Sequence, residues 1–144
     1  MASMNYSLPD DLSVQLSRLG NKTDEIIPKI LEAGGEVVLE KAKSNLRSVI
    51  GKGTKAESRS TGELIRSLGK TQPRQDRDGN WNIKIGFAEP RKDGNSNAKI
   101  ANILEYGKHN QPPKPFMKPA KIKSKDAAIE AMKQKFYEET GGNL

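Results

Sequence analysis

The sequence predicts an α+β domain: a long N-terminal helix packed on a small antiparallel β-sheet, completed by a short helix, a proline-rich crossing and a C-terminal helix. Three observations carry that expectation. From Thr23 onward Ile27, Ile30, Leu31, Gly34, Val38, Ala42, Leu46 and Val49 recur at intervals of three and four, the spacing of one face of a long helix. From Asn80 to Phe87 the period drops to two, with Trp81, Ile83, Ile85 and Phe87 alternating with Asn82, Lys84 and Gly86, as in a strand buried on one side. After Leu104, Gly107 is placed to close a helix in a positive-φ conformation, and Pro112, Pro113 and Pro115 forbid its continuation.

The chain of 144 residues is long enough for one domain with a modest core. We expect an arm with a short helix over residues 1–22 and a single α+β domain over 23–144. Hydrophobic residues are 33% and charged residues 30%, with a mean hydropathy of -0.78, so the apolar surface available to a lone copy is thin and partner subunits are expected to complete it. Cysteine is absent, which excludes disulfides and thiolate metal sites. No apolar run reaches the roughly 20 residues that span a bilayer, and the first residues carry no basic and apolar leader, so a soluble, unexported protein without membrane contact is expected. A net charge of +7 and a pI near 9.6 favour nucleic acid or an acidic protein surface as partner.

Taken in order, Ser7-Leu8-Pro9-Asp10 starts a short amphipathic helix carrying Leu12, Leu16 and Leu19, which Gly20 stops. Thr23 is a candidate N-cap for the long helix, and its Gly34-Gly35 pair predicts a kink or a close helix contact. Gly51 to Arg59 has neither apolar anchors nor periodicity and reads as a mobile basic loop; it lacks the spacing and preceding strand of a phosphate-binding loop. Lys52, Lys55 and Arg59 there are candidates for contact with phosphates or an acidic neighbour. Ser60 and Glu63 form a capping box for a helical turn carrying Leu64, Ile65 and Leu68. Gly69–Gln75 and Asn80–Phe87 form a hairpin across an Asp-Gly turn, and Asn97 caps the helix carrying Ile100, Ala101 and Leu104. Pro119 suits the first turn of a last helix, which starts again at Ser124, carries Ala128, Ile129, Met132 and Phe136, and stops at Gly141. Lys121, Lys123 and Lys125 near its start are further candidates for phosphate or acidic-partner contact.

Chemistry is scarce. His109 is the single histidine and lies in a proline-rich loop, and no spacing of acids predicts a catalytic dyad, so neither enzyme activity, nor a metal site, nor a cofactor is expected. The residues that stand out are rigid instead. Leu104-Glu105-Tyr106-Gly107, a short polar and proline-rich linker, and Pro115-Phe116-Met117-Lys118-Pro119-Ala120 form one motif, preceded by Thr61, Gly62, Leu64 and Ser67 in a threonine-glycine-x-leucine-x-x-serine pattern. The two motifs, in this order, resemble those of the HK97 gp10-like family of tailed-phage proteins, over roughly Thr23 to Tyr137.

That resemblance implies a structural virion or prophage protein of the head–tail joining or tail-completion region, assembling as a ring between head connector and tail. It also implies neighbouring connector and tail proteins as partners, at most weak non-specific contact with DNA, and assembly in the host bacterial cytoplasm. Thr61, Gly62, Leu64, Ser67, Glu105, Tyr106, Gly107, Pro115, Phe116, Met117 and Pro119 are its motif or interface candidates. The competing expectation is a basic nucleic-acid-binding module built on the lysine-rich segments.

Overall fold

The computed structural model describes residues 3–17, 23–50, 63–89 and 96–141. Its elements run β1 (Met4–Tyr6), α1 (Asp10–Ser17), α2 (Thr23–Val49), α3 (Glu63–Ser67), β2 (Leu68–Lys70), β3 (Arg74–Gln75), β4 (Trp81–Phe87), α4 (Asn97–Tyr106) and α5 (Met117–Thr140). The α+β class read from the sequence is the class observed.

The long apolar stripe of α2 needs cover, and two elements supply it. One is the sheet, in which β4 is central, with β1 on one edge and β2 and β3 both pairing its other edge, all antiparallel. Registers Met4↔Ile85, Tyr6↔Ile83 and Leu68↔Phe87 place apolar side chains on one face, and Ile83 and Ile85 are fully buried there. Asn5↔Lys84 and Gly69↔Gly86 face the other way. Beside the sheet, over the same stripe, lies α5, running antiparallel to α2 and sharing both apolar clusters with the sheet. Lys29 Nζ meets Glu139 at 3.2 Å at one end of the pair, and Asn45 Nδ2 donates to the Phe116 carbonyl at 3.2 Å at the other.

Two apolar clusters result. Val38, Ala42 and Leu46 of α2 pack with Leu64, Leu68, Ile85, Ala101 and Phe116, whereas Ile27, Ile30 and Leu31 pack with Leu12, Ile83, Met132 and Phe136. Between them sit the two glycines, and the expected close contact is present. A Cβ on Gly34 would lie 2.7 Å from Cγ and 2.9 Å from Sδ of Met132, so hydrogen at this position is what lets α5 approach.

Several local expectations are corrected. The hairpin's first strand is broken into β2 and β3 around Thr71–Pro73: Pro73 has no amide to donate, and the Lys84 amide bonds the Thr71 hydroxyl at 3.0 Å instead of a strand carbonyl. Leu68 opens β2 rather than extending the α3 turn, though it is buried as expected. The cap of α4 is Ser96, whose Oγ accepts from the Lys99 amide at 3.2 Å. Asn97 is instead the first helical residue; it is buried, and its Nδ2 donates to the Ala88 carbonyl at 2.7 Å. α5 does not restart at Ser124, which lies buried inside the helix with its hydroxyl bonded back to the Ala120 carbonyl. The strand β1 was not expected at all. The Asp-Gly turn is as read: Asp76 Oδ1 accepts the amides of Asp78 and Asn80, and Gly79 has φ 83°. Gly141 closes α5 in the left-handed conformation.

The Gly34–Met132 contact generates a prediction with a sign change. Gly34→Ala should destabilise the parent chain, because the methyl must displace a packed thioether. In a Met132→Ala background the same change should stabilise by about 1 kcal/mol, the ordinary helix-propensity gain of alanine over glycine. Denaturant melts of the four proteins of the cycle check this; additive effects would refute it.

Candidate interaction surface

A helix begins with backbone amides that have no carbonyl one turn back, and α5 begins inside the protein, where water cannot serve them. The side chain of Phe116, its N-cap residue, offers no hydrogen bond. The acceptor comes from α4. Glu105 Oε2 takes the amides of Phe116 at 2.7 Å and Met117 at 3.0 Å, and Oε1 takes that of Lys118 at 3.0 Å. The next residue, Pro119, has no amide to satisfy, and the ladder starts with Ala120 N to the Phe116 carbonyl at 3.3 Å. Every amide of the first turn is thus accounted for. The Glu105 carboxylate, itself buried, also places negative charge at the positive end of the helix.

The intervening loop has to bring residue 116 back to residue 105. Gly107 turns the chain with φ 77°, its amide bonded to the Ile103 carbonyl, and a Cβ there would lie 2.8 Å from the Gln111 carbonyl oxygen and 2.9 Å from the Pro113 nitrogen. Lys108 and Gln111 bridge each other, Asn110 takes positive φ, and the Lys114 amide returns to the Leu104 carbonyl at 2.6 Å. Phe116, fully buried, meets Phe87 edge to face with ring centroids 6.1 Å apart.

Glu105, Gly107, Phe116, Met117 and Pro119 are therefore explained by the crossing itself. Tyr106 is not: it is 67% exposed, and with Ile122, 65% exposed, it borders a shallow cleft that Met4, Met117, Lys118 and Lys121 also line. Pro115 is exposed. Lys121, Lys123 and Lys125 all reach solvent. Lys118 in the first turn of α5 and Glu138 and Glu139 in its last oppose the helix dipole, each by roughly 0.3–1 kcal/mol, and α5 has neither an acid in its first turn nor a base in its last.

Of the earlier motif, Leu64 is buried and Ser67 closes α3, its hydroxyl bonded to the Leu64 carbonyl at 2.7 Å and its own carbonyl to the Ala88 amide at 2.8 Å. Both belong to the junction with the sheet. Thr61, Gly62, Lys52, Lys55 and Arg59 lie outside the described residues, as does the expected mobile loop. His109 is exposed. Sequence reasoning missed Ile122 and Asn45. Ile122 could have been found as the one apolar residue in a run of lysines, whereas Asn45 carries no local signal. Tyr6 of β1 is half-buried, and burial pushes its phenol above the ordinary value, with a hydrogen bond to Ser124 acting the other way. No helix among the described residues is long and apolar enough to cross a membrane.

The cap can be tested directly. Glu105→Ala leaves three amides of the α5 start without acceptors and should cost about 3 kcal/mol in a denaturant melt, with faster amide exchange at Phe116 and Met117. Glu105→Gln keeps the shape and an acceptor but not the charge, and should lose roughly half as much. An alanine variant as stable as the parent would sink the assignment.

Comparison with known proteins bears on the same segment. The family model described as "Bacteriophage HK97-gp10, putative tail-component" matches residues 10–107, a span from α1 through the Glu105-Tyr106-Gly107 end of α4. No curated protein and no solved structure matches the chain. With about two-thirds of its length matched by one family model, this chain belongs to the HK97 gp10-like family of phage tail-component proteins.

Proposed function

We propose that this protein is a non-enzymatic structural component of the head–tail joining or tail-completion region of a tailed-phage or prophage virion. Its copies assemble there as a ring between head connector and tail, after synthesis in the host bacterial cytoplasm. Family membership supports the virion setting. The observation that carries the ring reading is the rigid crossing: capped, glycine-turned and proline-stiffened, it holds Tyr106 and Ile122 in solvent at a fixed place where the fold makes no use of them. Exposed large apolar side chains on a rigid mount, rimmed by charge, are the anatomy of a subunit interface.

The test is electron microscopy of the purified protein, alone and with the connector and tail proteins encoded beside its gene. Rings are expected in at least the second sample; dispersed monomers in both would count against the reading.

A second reading, a nucleic-acid-binding module, is favoured by the exposed lysines at the start of α5. The two readings part on affinity. A ring protein through which DNA passes should hold duplex only weakly, with a dissociation constant of about 10⁻⁴ to 10⁻⁶ M at physiological salt and no sequence preference. Titration of labelled duplex against salt measures this. Nanomolar, sequence-selective binding would replace the ring reading with the nucleic-acid one.

A further inference from the structure

Four large apolar side chains stand out in solvent among the described residues: Val14, Tyr106, Ile122 and Tyr137. They fall into two pairs. Tyr106 and Ile122 border one cleft at the start of α5. Val14 shares a face of α1 with Asp11, Tyr137 shares a face of α5 with Lys133, and the 3.1 Å ion pair between Asp11 and Lys133 joins those faces. Ile122 and Tyr137 are about 22 Å apart along the helix, at 1.5 Å per residue.

The charges around the two pairs have opposite sign. Lys118, Lys121 and Lys125 flank the first. Around the second, the lysines are engaged at home: Lys133 with Asp11, and Lys135 at 3.7 Å from both Glu138 and Glu139. What remains in excess there is acid, with Asp10 and Glu130 exposed. The helix's own charged residues at its two ends, Lys118 and Glu138 with Glu139, also oppose its dipole, which only the Glu105 carboxylate from α4 complements. The isolated helix gains nothing from that arrangement, but two copies do if the basic end of one meets the acidic end of another.

We infer that the Tyr106–Ile122 patch with its lysines docks on the Val14–Tyr137 patch of a second copy, head to tail. The contact is heterologous, the kind that continues from copy to copy and closes into a ring when the rotation per subunit allows it. Steering comes from the charges and adhesion from the apolar pairs, with salt weakening encounter more than it weakens the docked contact. The inference rests on the ring reading above and specifies its surfaces.

The experiment uses two charge-reversed chains, Lys121→Glu with Lys125→Glu, and Glu130→Lys with Glu138→Lys. All four positions are exposed, so circular dichroism should show each fold intact. At low salt, sedimentation should show the parent growing past dimer, each variant alone weakened at least tenfold in association, and the equimolar mixture restored. Because the chain has no cysteine, single Ile122→Cys and Tyr137→Cys variants should, when mixed and oxidised, form the cross-linked heterodimer in preference to either homodimer. Variants that assemble like the parent would overturn this contact while leaving the ring intact. Growth that stops at dimer, or preferred Ile122 homodimers, would overturn the head-to-tail geometry. A parent that stays monomeric at millimolar concentration overturns the self-contact, and if it also forms no ring with its neck neighbours the ring reading falls too. Loss of duplex binding by the first variant with self-association unchanged would assign the lysines to DNA.

Discussion

Three backbone amides at the start of α5 need an acceptor, and the carboxylate that serves them comes from a different helix. That constraint ties together features that look unrelated along the chain. α4 must end where Glu105 faces inward, Gly107 must turn sharply, and the prolines must hold the return path. Once α5 starts in the right place, the Phe116 carbonyl falls within reach of Asn45, and Phe116 itself seats against Phe87 beneath α2. From there α5 runs the length of α2, and the sheet packs beside it on the same apolar stripe. The charge at the cap is buried and fully hydrogen-bonded, which is the condition under which a buried carboxylate stabilises rather than disrupts.

How much of this was legible in the chain depended on the range of the determining interaction. α2 and β4 were readable because periodicity is written in consecutive residues, and the close helix contact was readable because paired glycines in a helix have few other uses. The start of α5 was not. Ser124 has the chemistry of an N-cap, but a serine can equally bond the carbonyl four residues back, and the cap that operates is supplied from eleven residues upstream. Asn97 was misplaced by one residue because Ser96 and Asn97 are both cap-capable, and burial beneath Ala88 decided between them. β1 is three residues long, too short for any period to show, and exists because β4 offers an open edge.

The candidate surface shows the same division. The crossing motif could be recognised as a unit, yet its residues split into those the fold consumes and those it leaves over. Glu105, Gly107 and Phe116 are held by the chain's own hydrogen bonds and packing, so their place in the crossing reflects architecture. Tyr106 alternates with them in sequence and points the other way. Ile122 joins it only in three dimensions, one turn into the next helix. The positive charge, a single net figure in the composition, becomes informative once helix ends are known, because only then does the conflict of Lys118 with the dipole of α5 appear.

The antiparallel pairing of α2 with α5 also has a consequence for synthesis. α2 is complete by Val49, whereas the helix that covers much of its apolar stripe ends at Thr140. At roughly 5–20 residues per second, about 90 further residues take on the order of 5–20 s to translate, and β1 must likewise wait for β4. During that interval the nascent chain presents an uncovered greasy helix beside other nascent copies on the same message. The stripe of α2 that α5 covers in the finished domain therefore has no such cover until the last helix has been made.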